Sequence, residues 1–310
     1  MSAAALPAEP VYLPFEPGPY RMAMGLVARD PAELIELDER YSDEMAQRRA
    51  LLDTRREDVF AVTPGSEAAR AEVLERLAEL LPQRFPAWFA RDGHHLDNRL
   101  TGERWNLRDP GYDPLEVAGR LVQEDLCLLR PEPDGPVLTA AVLCFPSRWR
   151  LHEKIGRPLA AVHGTVPFYA ERLARPVDRL MGQLKPGKLV ERLNWSMSDD
   201  PTLFQPGGKW RREANIAITP ENAGDALVLR VERQTLSSLP ASGGVLFTIR
   251  VHVYPLATIA ARPDIAARLA DAVRALPEPM QHYKSLIPFR DAVLTYLDRR
   301  GPASRPFADA

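Results

Sequence analysis

Regular alternation of apolar and polar residues predicts two long strands, near residues 226–234 and 245–254. Each run turns aliphatic side chains to one side and polar side chains to the other. If the connection at residues 236–244 makes the two runs neighbouring strands, one face of the sheet would assemble their polar residues. We expect that face to carry Arg230, Glu232, Gln234, Arg250 and His252. Alternation alone leaves open whether the face meets solvent or lines a buried site.

Shorter apolar runs predict three further strands. Residues 126–129 and 137–144 are β-prone and flank the turn-forming Pro-Asp-Gly-Pro segment at 133–136, so we expect a hairpin. Residues 189–197 form the third run, and residues 168–184 before it have the pattern of a helix. The sequence thus predicts two strands, a helical stretch and then three strands.

Capping residues predict helix starts in the first 120 residues. Asp30 and Asp113 each precede a proline and then a glutamate two residues later, which is a proline-containing variant of the capping box. The first predicts a helix that continues to Arg49, and the second a helix that leads to Gln123. This part of the chain is therefore expected to be mostly helical.

Other segments complete the pattern. Ser66 is a candidate cap for a helix over residues 67–81, and residues 264–276 and 286–299 are expected to close the chain as helices. The first 25 or so residues are rich in proline, which fixes φ and removes backbone donors. We expect that segment to pack as an extended arm.

Composition narrows the function classes. The 310 residues carry a net charge of -2 without a long block of like charge, which argues against a nucleic-acid partner. An uninterrupted apolar run of about 18 residues, as a membrane span needs, does not occur. The only cysteines, Cys127 and Cys144, lie in apolar runs and are expected to be buried thiols in a reducing compartment. We therefore expect a soluble cytoplasmic protein away from membranes.

The segment at residues 144–169, CFPSRWRLHEKIGRPLAAVHGTVPFY, mixes cations and histidines with apolar residues and prolines. A prosthetic group with an apolar body and an anionic rim would require that mixture. The segment resembles the signature of the bacterial haem-dependent oxidative N-demethylase family, whose alpha subunit carries haem in a PAS-type domain. The resemblance continues through QEDLCLL at 123–129, ERLNW at 191–195 and the long run at 231–256, in all over roughly residues 20 to 300.

The resemblance implies an α+β fold with a PAS-like antiparallel sheet, helices on one face, and N- and C-terminal helical elements. The order of two strands, helices and three strands agrees with it. On this basis we expect an N-terminal arm and helical region over residues 1–120, a PAS-like haem-binding core over 121–256 and C-terminal helices over 257–310.

His163 is the best candidate for the axial haem ligand. It follows an apolar stretch, and Gly164 after it allows close approach; the resemblance implies a proximal histidine at this position in the chain. The alternative is a buried structural histidine bonded to a backbone carbonyl. His152 and His252 are the fallback ligands, whereas a thiolate ligand from Cys144 is disfavoured by its position in a strand.

Cations near this segment are candidate partners for the two haem propionates, because charge-assisted bonds to carboxylates are strong. The candidates are Lys154, Arg157 and Arg192. Trp195 is expected either to stack on the cofactor or to fill the core.

Glu232 is the candidate that recognises substrate, since a small secondary amine is a cation near neutral pH and needs a carboxylate or aromatic faces. Gln234 would orient it, and Arg250 completes the set of candidate catalytic residues. The alternative is a Glu232–Arg250 cross-strand ion pair that only holds the hairpin.

The function implied by the resemblance is oxidative N-demethylation of a small, dimethylamine-like alkylamine by haem b and dioxygen, with release of formaldehyde. Since the chain lacks a GxGxxG loop and a four-cysteine cluster, FMN, iron–sulfur and NADPH sites are expected on partner reductase subunits. A non-catalytic haem-PAS sensor is one alternative. A scaffold without cofactor is another.

Overall fold

The structure is a computed structural model that describes residues 5–9, 11–16, 18–207 and 213–301. It has an α+β fold, as expected, with one large antiparallel sheet and helices around it. The strands of the described part are β1 Val27–Arg29, β2 Phe60–Val62, β3 Phe89–Asp92, β4 His95–Asn98, β5 Glu103–Asn106, β6 Asp125–Arg130, β7 Val137–Val142, β8 Leu189–Ser198, β9 Val228–Leu239 and β10 Gly244–Pro255.

The α-helices of the same part range from single turns to eighteen residues. They are α1 Tyr41–Thr54, α2 Arg56–Val59, α3 Glu67–Arg84, α4 Pro114–Gly119, α5 Leu159–Val162, α6 Tyr169–Arg172, α7 Ala174–Gln183, α8 Ala223–Ala226, α9 Leu256–Ala260, α10 Pro263–Ala275, α11 Glu278–Tyr283 and α12 Arg290–Asp298. Short 3-10 helices cover Pro31–Leu34, Leu151–Glu153 and Ile287–Phe289. No helix in the described ranges is both long and apolar enough to cross a membrane.

The large sheet has seven strands in the order β1-β8-β9-β10-β6-β7-β2, and every neighbouring pair is antiparallel. The five predicted strands form its centre, and the hairpin of β6 and β7 is confirmed. Strands β9 and β10 are neighbours, as expected, although β9 runs on to Leu239 and leaves only residues 240–243 for the turn. The two short strands β1 and β2 extend the sheet at its edges.

The predicted helix from Asp30 to Arg49 is interrupted. Asp30 does cap a helical turn, since its Oδ1 accepts from the Ala32 nitrogen at 2.9 Å, but that turn ends at Leu34 and α1 begins at Tyr41. Residues 35–38 between them are largely buried in extended conformation and place an acidic side chain, Asp38, against the sheet. Tertiary burial therefore overrides the local helical pattern here.

Further helix predictions are confirmed with local differences. Asp113 caps α4 through the Leu115 nitrogen at 2.9 Å. The helix over residues 67–81 is present as α3, but the hydroxyl of Ser66 donates to the Thr63 carbonyl instead of capping it. The hairpins β3, β4 and β5 form a small second sheet that the sequence pattern did not predict.

The pairing of β9 with β10 corrects the expected polar face. Arg250 lies opposite Arg233, and His252 lies opposite Val231. Directly opposed residues share a face, so Arg250 and His252 lie on the side away from Glu232. The prediction that one face carries all five polar residues is wrong. We call the side with Arg192, Asn194, Arg230, Glu232 and Gln234 the front face, and the side with Glu191, Arg233, Arg250 and His252 the back face.

Two hydrophobic clusters hold the sheet in place. One joins the aliphatic residues of β6, β7 and β10 to α3, α4 and the segment with Leu151 and Leu159. The other covers one end of the back face, where Leu229, Val231 and Tyr254 meet helices α9 to α12. On the front face, Arg192 interacts electrostatically with Tyr169 of α6 and Tyr283 of α11, which places these helices near its polar residues.

Candidate functional site

Polar residues on the front face come from two adjacent strands. Asn194 of β8 lies opposite Glu232 of β9, and Arg192 lies opposite Gln234. Opposed residues in an antiparallel pair have close side chains, so the four side chains form one cluster. Arg192, Asn194 and Gln234 are half-buried and Glu232 is buried, which makes the cluster a partly enclosed site.

The Glu232 carboxylate is held at one oxygen and open at the other. Its Oε2 accepts from Gln234 Nε2 at 2.7 Å and from Asn194 Nδ2 at 3.3 Å. Its Oε1 makes no hydrogen bond to any residue in the described ranges. A fixed carboxylate with one open oxygen is suited to accept a hydrogen bond from a small cation.

Two buried donors in this region lack acceptors among the described residues: Arg192 Nε and the Tyr169 hydroxyl. Arg192 interacts electrostatically with both Glu232 and Tyr169. Burial lowers the pKa of Arg192 and raises the pKa of Tyr169 to about 12. A buried polar atom without a partner costs free energy, so this pair is a place where a ligand with acceptor groups would be stabilised.

His163 lies just after α5 and contacts the same region through Tyr169. The two rings stack with centroids 4.6 Å apart and planes 13° apart. Nδ1 of His163 is 3.0 Å from the Leu159 carbonyl oxygen. A carbonyl only accepts, so Nδ1 carries the proton and the lone pair of the neutral ring is on Nε2. This arrangement suits an axial ligand, and it equally matches the alternative of a structural histidine.

The other predicted partners of the propionates differ in environment. Lys154 is half-buried, its Nζ donates to the Val162 carbonyl at 2.6 Å, and burial lowers its pKa. That bond places Lys154 beside the segment that carries His163. Arg157 is exposed at the turn before α5.

Lys284 is a member of the site for which the sequence pattern had no signal. It directly follows α11 and is buried, and its Nζ donates to Asn194 Oδ1 at 3.1 Å and to the Trp195 carbonyl at 2.5 Å. Burial, followed by the nearby charge of Arg192, lowers the pKa of Lys284 to about 7. Its place in the site depends on the contact with Asn194, which is 90 residues away in the sequence, and no local sequence pattern predicts such a contact.

Backbone strain lies next to two of these side chains. Among the described residues, Arg148, Phe168 and Ser285 are the non-glycine residues with positive φ, at 63°, 64° and 60°. Phe168 precedes Tyr169, and Ser285 follows Lys284. Such conformations cost free energy and recur at functional sites.

A groove of about 450 Å³ opens beside the site. Phe168 and Tyr20 line it together with Pro19, Arg172, Ala275 and Pro277. Tyr20 also interacts electrostatically with Arg192. The groove thus reaches the surface next to the residues that border the front-face cluster.

Arg230 has its hydrogen bonds satisfied on the front face. Its guanidinium donates to Ser147 Oγ at 2.9 Å and to the carbonyls of Phe145, Thr202 and Leu203 at 2.8 to 3.0 Å. Burial lowers the pKa of Arg230 to about 10. With all these acceptors in place, Arg230 anchors two loops to β9.

Arg250 is enclosed on the back face. Its guanidinium contacts Asp38 at 2.6 Å and Glu44 at 2.7 Å, and burial opposes its charge while Glu44 and Asp38 raise its pKa. The structure therefore does not bring Arg250 together with Glu232, and the alternative of a Glu232–Arg250 ion pair is wrong as well.

His252, a fallback ligand, is also on the back face, between Glu9 and Glu36 at 3.5 and 3.4 Å. Burial by itself would lower its pKa, but Glu36 and Glu9 raise it above the ordinary value. A protonated imidazole is a poor metal ligand. The remaining fallback ligand, His152, is exposed.

Trp195 and Cys144 have environments typical of core residues. The Trp195 ring lies on the back face, edge-on to Phe15 at 6.3 Å, and Lys284 Nζ lies 4.9 Å from the ring centroid. Burial raises the pKa of the Cys144 thiol to about 12, and Cys127 is buried with a raised pKa too. Neither thiol has the lowered pKa of a metal ligand.

A family model matches most of the chain. Residues 25–294 correspond to the family described as "Haem-dependent oxidative N-demethylase, alpha subunit-like". The chain belongs to this family. The match confirms the resemblance drawn from the four motifs, and the family name indicates a haem-dependent oxidoreductase of the N-demethylase type.

The donor set on the front side fits the haem that this family implies. Haem iron takes most of its ligands from the porphyrin, so one imidazole such as His163 is sufficient. The orphaned Arg192 Nε and the half-buried Lys154 offer cations for an anionic rim. In the described ranges no group of three or more histidine, cysteine, aspartate or glutamate residues could hold a bare metal ion.

Proposed function

We propose that this chain is the haem-binding, amine-oxidising subunit of an oxidative N-demethylase that acts on a small alkylamine such as dimethylamine. The observation that carries the proposal is the Glu232 carboxylate, fixed at Oε2 and open at Oε1, beside Arg192, which with nearby Tyr169 offers buried donors without acceptors in the described residues. The carboxylate would bind the ammonium group, and the donors would bind acidic groups of the cofactor.

We propose a PAS-like core over residues 121–256, flanked by an arm and helical region over 1–120 and by C-terminal helices over 257–310. The chain order of β6, β7, short helices, β8, β9 and β10 supports this division. The edge strands β1 and β2 would then be additions from the N-terminal region to the core sheet.

In this proposal haem b is held by His163 through Nε2, with Lys154 and Arg192 as propionate partners and Arg157 at the surface. The Leu159 carbonyl keeps the proton on Nδ1 and so maintains the required tautomer. When bound, haem supplies the activation of dioxygen. Trp195 and Arg250 lie on the back face, so we assign them structural roles instead of cofactor or substrate contacts.

The chain's own residues orient the amine. Gln234 and Asn194 hold one carboxylate oxygen of Glu232, which directs the other toward the ligand and keeps the carboxylate from turning. The ammonium would donate to Oε1. The demethylated amine and formaldehyde would then leave as products, with electrons supplied through FMN and iron–sulfur groups of a partner reductase that oxidises NADPH.

The central test is amine binding to the haem-loaded chain. We expect dimethylammonium chloride to shift the Soret band of the parent protein and of Glu171→Gln, a control that removes an exposed carboxylate from α6. Glu232→Gln should weaken binding by about tenfold to a hundredfold, the value of a charge-assisted hydrogen bond, while haem content is retained. Unchanged binding by Glu232→Gln would contradict the assignment.

The ligand assignment is tested in the same spectra. His163→Ala should lose haem and the parent Soret band, whereas His152→Ala, which changes an exposed histidine, should keep both. Retained haem in His163→Ala together with loss in His252→Ala would show that the ligand lies on the back face.

The reductase is tested by formaldehyde release. Purified chain with NADPH, dimethylamine and dioxygen should release little formaldehyde until the reductase or an artificial donor is added. Rapid release by the chain alone would contradict the multi-subunit proposal. No release with any donor, despite bound haem, would favour a haem sensor.

A further inference from the structure

Lys284 is held against the front-face site by the shape of its backbone. The chain leaves α11 at Tyr283, and Ser285 then adopts φ of 60°, which turns the chain sharply. The turn buries the lysine, with 7% of its surface exposed, and brings Nζ to strand β8. Burying a lysine amino group costs free energy, so the group needs compensating contacts.

The contacts link Lys284 to Glu232 through one side chain. Nζ donates to Asn194 Oδ1 at 3.1 Å, and Nδ2 of the same amide donates to Glu232 Oε2 at 3.3 Å. An asparagine amide has an accepting end and a donating end. A donor on the oxygen therefore keeps the nitrogen directed at the carboxylate.

We propose that Lys284 is a positioning residue for amine binding, which sets the orientation of Asn194 and thereby the geometry and local charge at Glu232. The inference rests on the proposed function, in which Glu232 binds the ammonium group. Lys284 itself does not contact the amine; it acts through Asn194.

The neutral form of the lysine suits this role. Two acceptors, Asn194 Oδ1 and the Trp195 carbonyl, match the two N–H groups of a neutral amine. Burial lowers the pKa of Lys284 to about 7; among the charged groups that face it, Arg192 lowers the pKa further and Glu232 raises it. Above that pH the site avoids an extra cation, whereas below it the lysine charge repels an ammonium ligand.

Amine affinity should therefore rise as the pH rises through about 7. The test is calorimetric titration of the haem-loaded chain with dimethylammonium chloride at pH 6, 7 and 8. Lys284→Met has no donor or charge at this position, so it should bind about tenfold more weakly at pH 8 and lose the pH dependence. Lys284→Gln keeps two N–H donors without a titrating charge, so it should recover part of the affinity and be independent of pH.

A matched control and a second readout keep the test decisive. Lys188→Met removes an exposed lysine just before β8 and should behave like the parent. The side-chain amide signal of Asn194, followed by NMR in selectively labelled protein, should shift with an apparent pKa near 7 in the parent and not in Lys284→Met.

The outcomes separate the two proposals. If Lys284→Met keeps the parent affinity and pH dependence, or if the Asn194 signal does not titrate, the positioning role is wrong. If the parent and Glu232→Gln bind amine equally or not at all, the proposed function is wrong, and the positioning role for amine binding is overturned with it; a titrating Asn194 signal would then show only that Lys284 controls the Asn194 amide.

Discussion

The two faces of the large sheet carry similar numbers of charged residues but differ in how these charges are paired. On the back face Arg233 contacts Glu191 at 2.6 Å, and Arg250 contacts Asp38 and Glu44 at 2.6 and 2.7 Å. On the front face Arg192 forms no ion pair or hydrogen bond with another described residue. Ion pairs between buried charges hold particular segments together. A buried charge without a partner is unfavourable by itself, and a ligand that supplies the partner would be stabilised there.

The comparison therefore separates structural charges from functional ones. Buried atoms without a hydrogen bond occur on both sides of the sheet: Arg192 Nε and the Tyr169 hydroxyl near the front-face site, and Arg233 Nη1, Arg250 Nε and both ring nitrogens of His252 at the back. The sides differ in ion pairing, because Arg250 and His252 each face two carboxylates, whereas Arg192 forms no ion pair with another described residue.

The largest expected effect is on the back face. Arg250→Met leaves Asp38 and Glu44 buried without their cation, so we expect the free energy of unfolding to fall by about 3–5 kcal/mol. Urea unfolding followed by circular dichroism at pH 7 measures it. Arg192→Met on the front face is the matched comparison and should change that free energy by less than about 1 kcal/mol. Equal losses in the two variants would remove the distinction between the faces.

A second effect concerns pH. Burial raises the pKa of Glu124, which borders the back-face network, from 4.5 to about 7. Between those values the folded chain keeps a proton that the unfolded chain releases, so the stabilising contribution of this group is lost as the pH rises. Glu124→Gln does not ionise and keeps an acceptor for the Glu36 nitrogen. Relative to the parent it should gain about 3 kcal/mol of stability between pH 4 and 8.

Unfolding curves of both proteins across that range measure the difference. Other carboxylates titrate equally in the two proteins, so their contributions cancel in the difference between the two unfolding free energies. A constant difference between the two proteins would mean that the pKa of Glu124 is the same in the folded and unfolded chains, which would contradict the raised pKa.

The smallest effect compares two hydroxyls. The Tyr12 hydroxyl donates to Glu36 on the back face, so Tyr12→Phe should cost about 1 kcal/mol. The Tyr169 hydroxyl has no hydrogen-bond partner in the part of the chain that the structure describes, so Tyr169→Phe should leave stability unchanged or slightly raise it, while ring stacking on His163 persists. A larger loss in Tyr169→Phe than in Tyr12→Phe would show that the front-face hydroxyl is satisfied.

Local patterns in the sequence were sufficient for most strands and several helix starts. Alternation identified β9 and β10, a β-prone apolar run identified β8, and the Pro-Asp-Gly-Pro turn identified the first hairpin, because side-chain period and turn chemistry are properties of adjacent residues. The caps at Asp30 and Asp113 form as expected, for the same reason.

Which side chains of β9 and β10 lie on the same face of the sheet could be determined only from the tertiary structure. Within each strand the alternation was correct, but joining two strands depends on register, and a shift of one residue moves every side chain to the other face. The turn at residues 240–243 pairs Gly244 with Leu239, which sets Arg250 opposite Arg233 and away from Glu232.

The sequence by itself determined the family, the antiparallel α+β fold and the position of Glu232 and Gln234 on one side of a strand. Only the tertiary structure decided that Arg250 and His252 belong to a paired network on the other side, and that Tyr169 and Lys284 join the site. Hydrogen bonds within a strand or turn are set by neighbours in sequence. The partners of a buried charge come from distant segments, 212 residues apart for Arg250 and Asp38, so its role depends on how the whole chain packs.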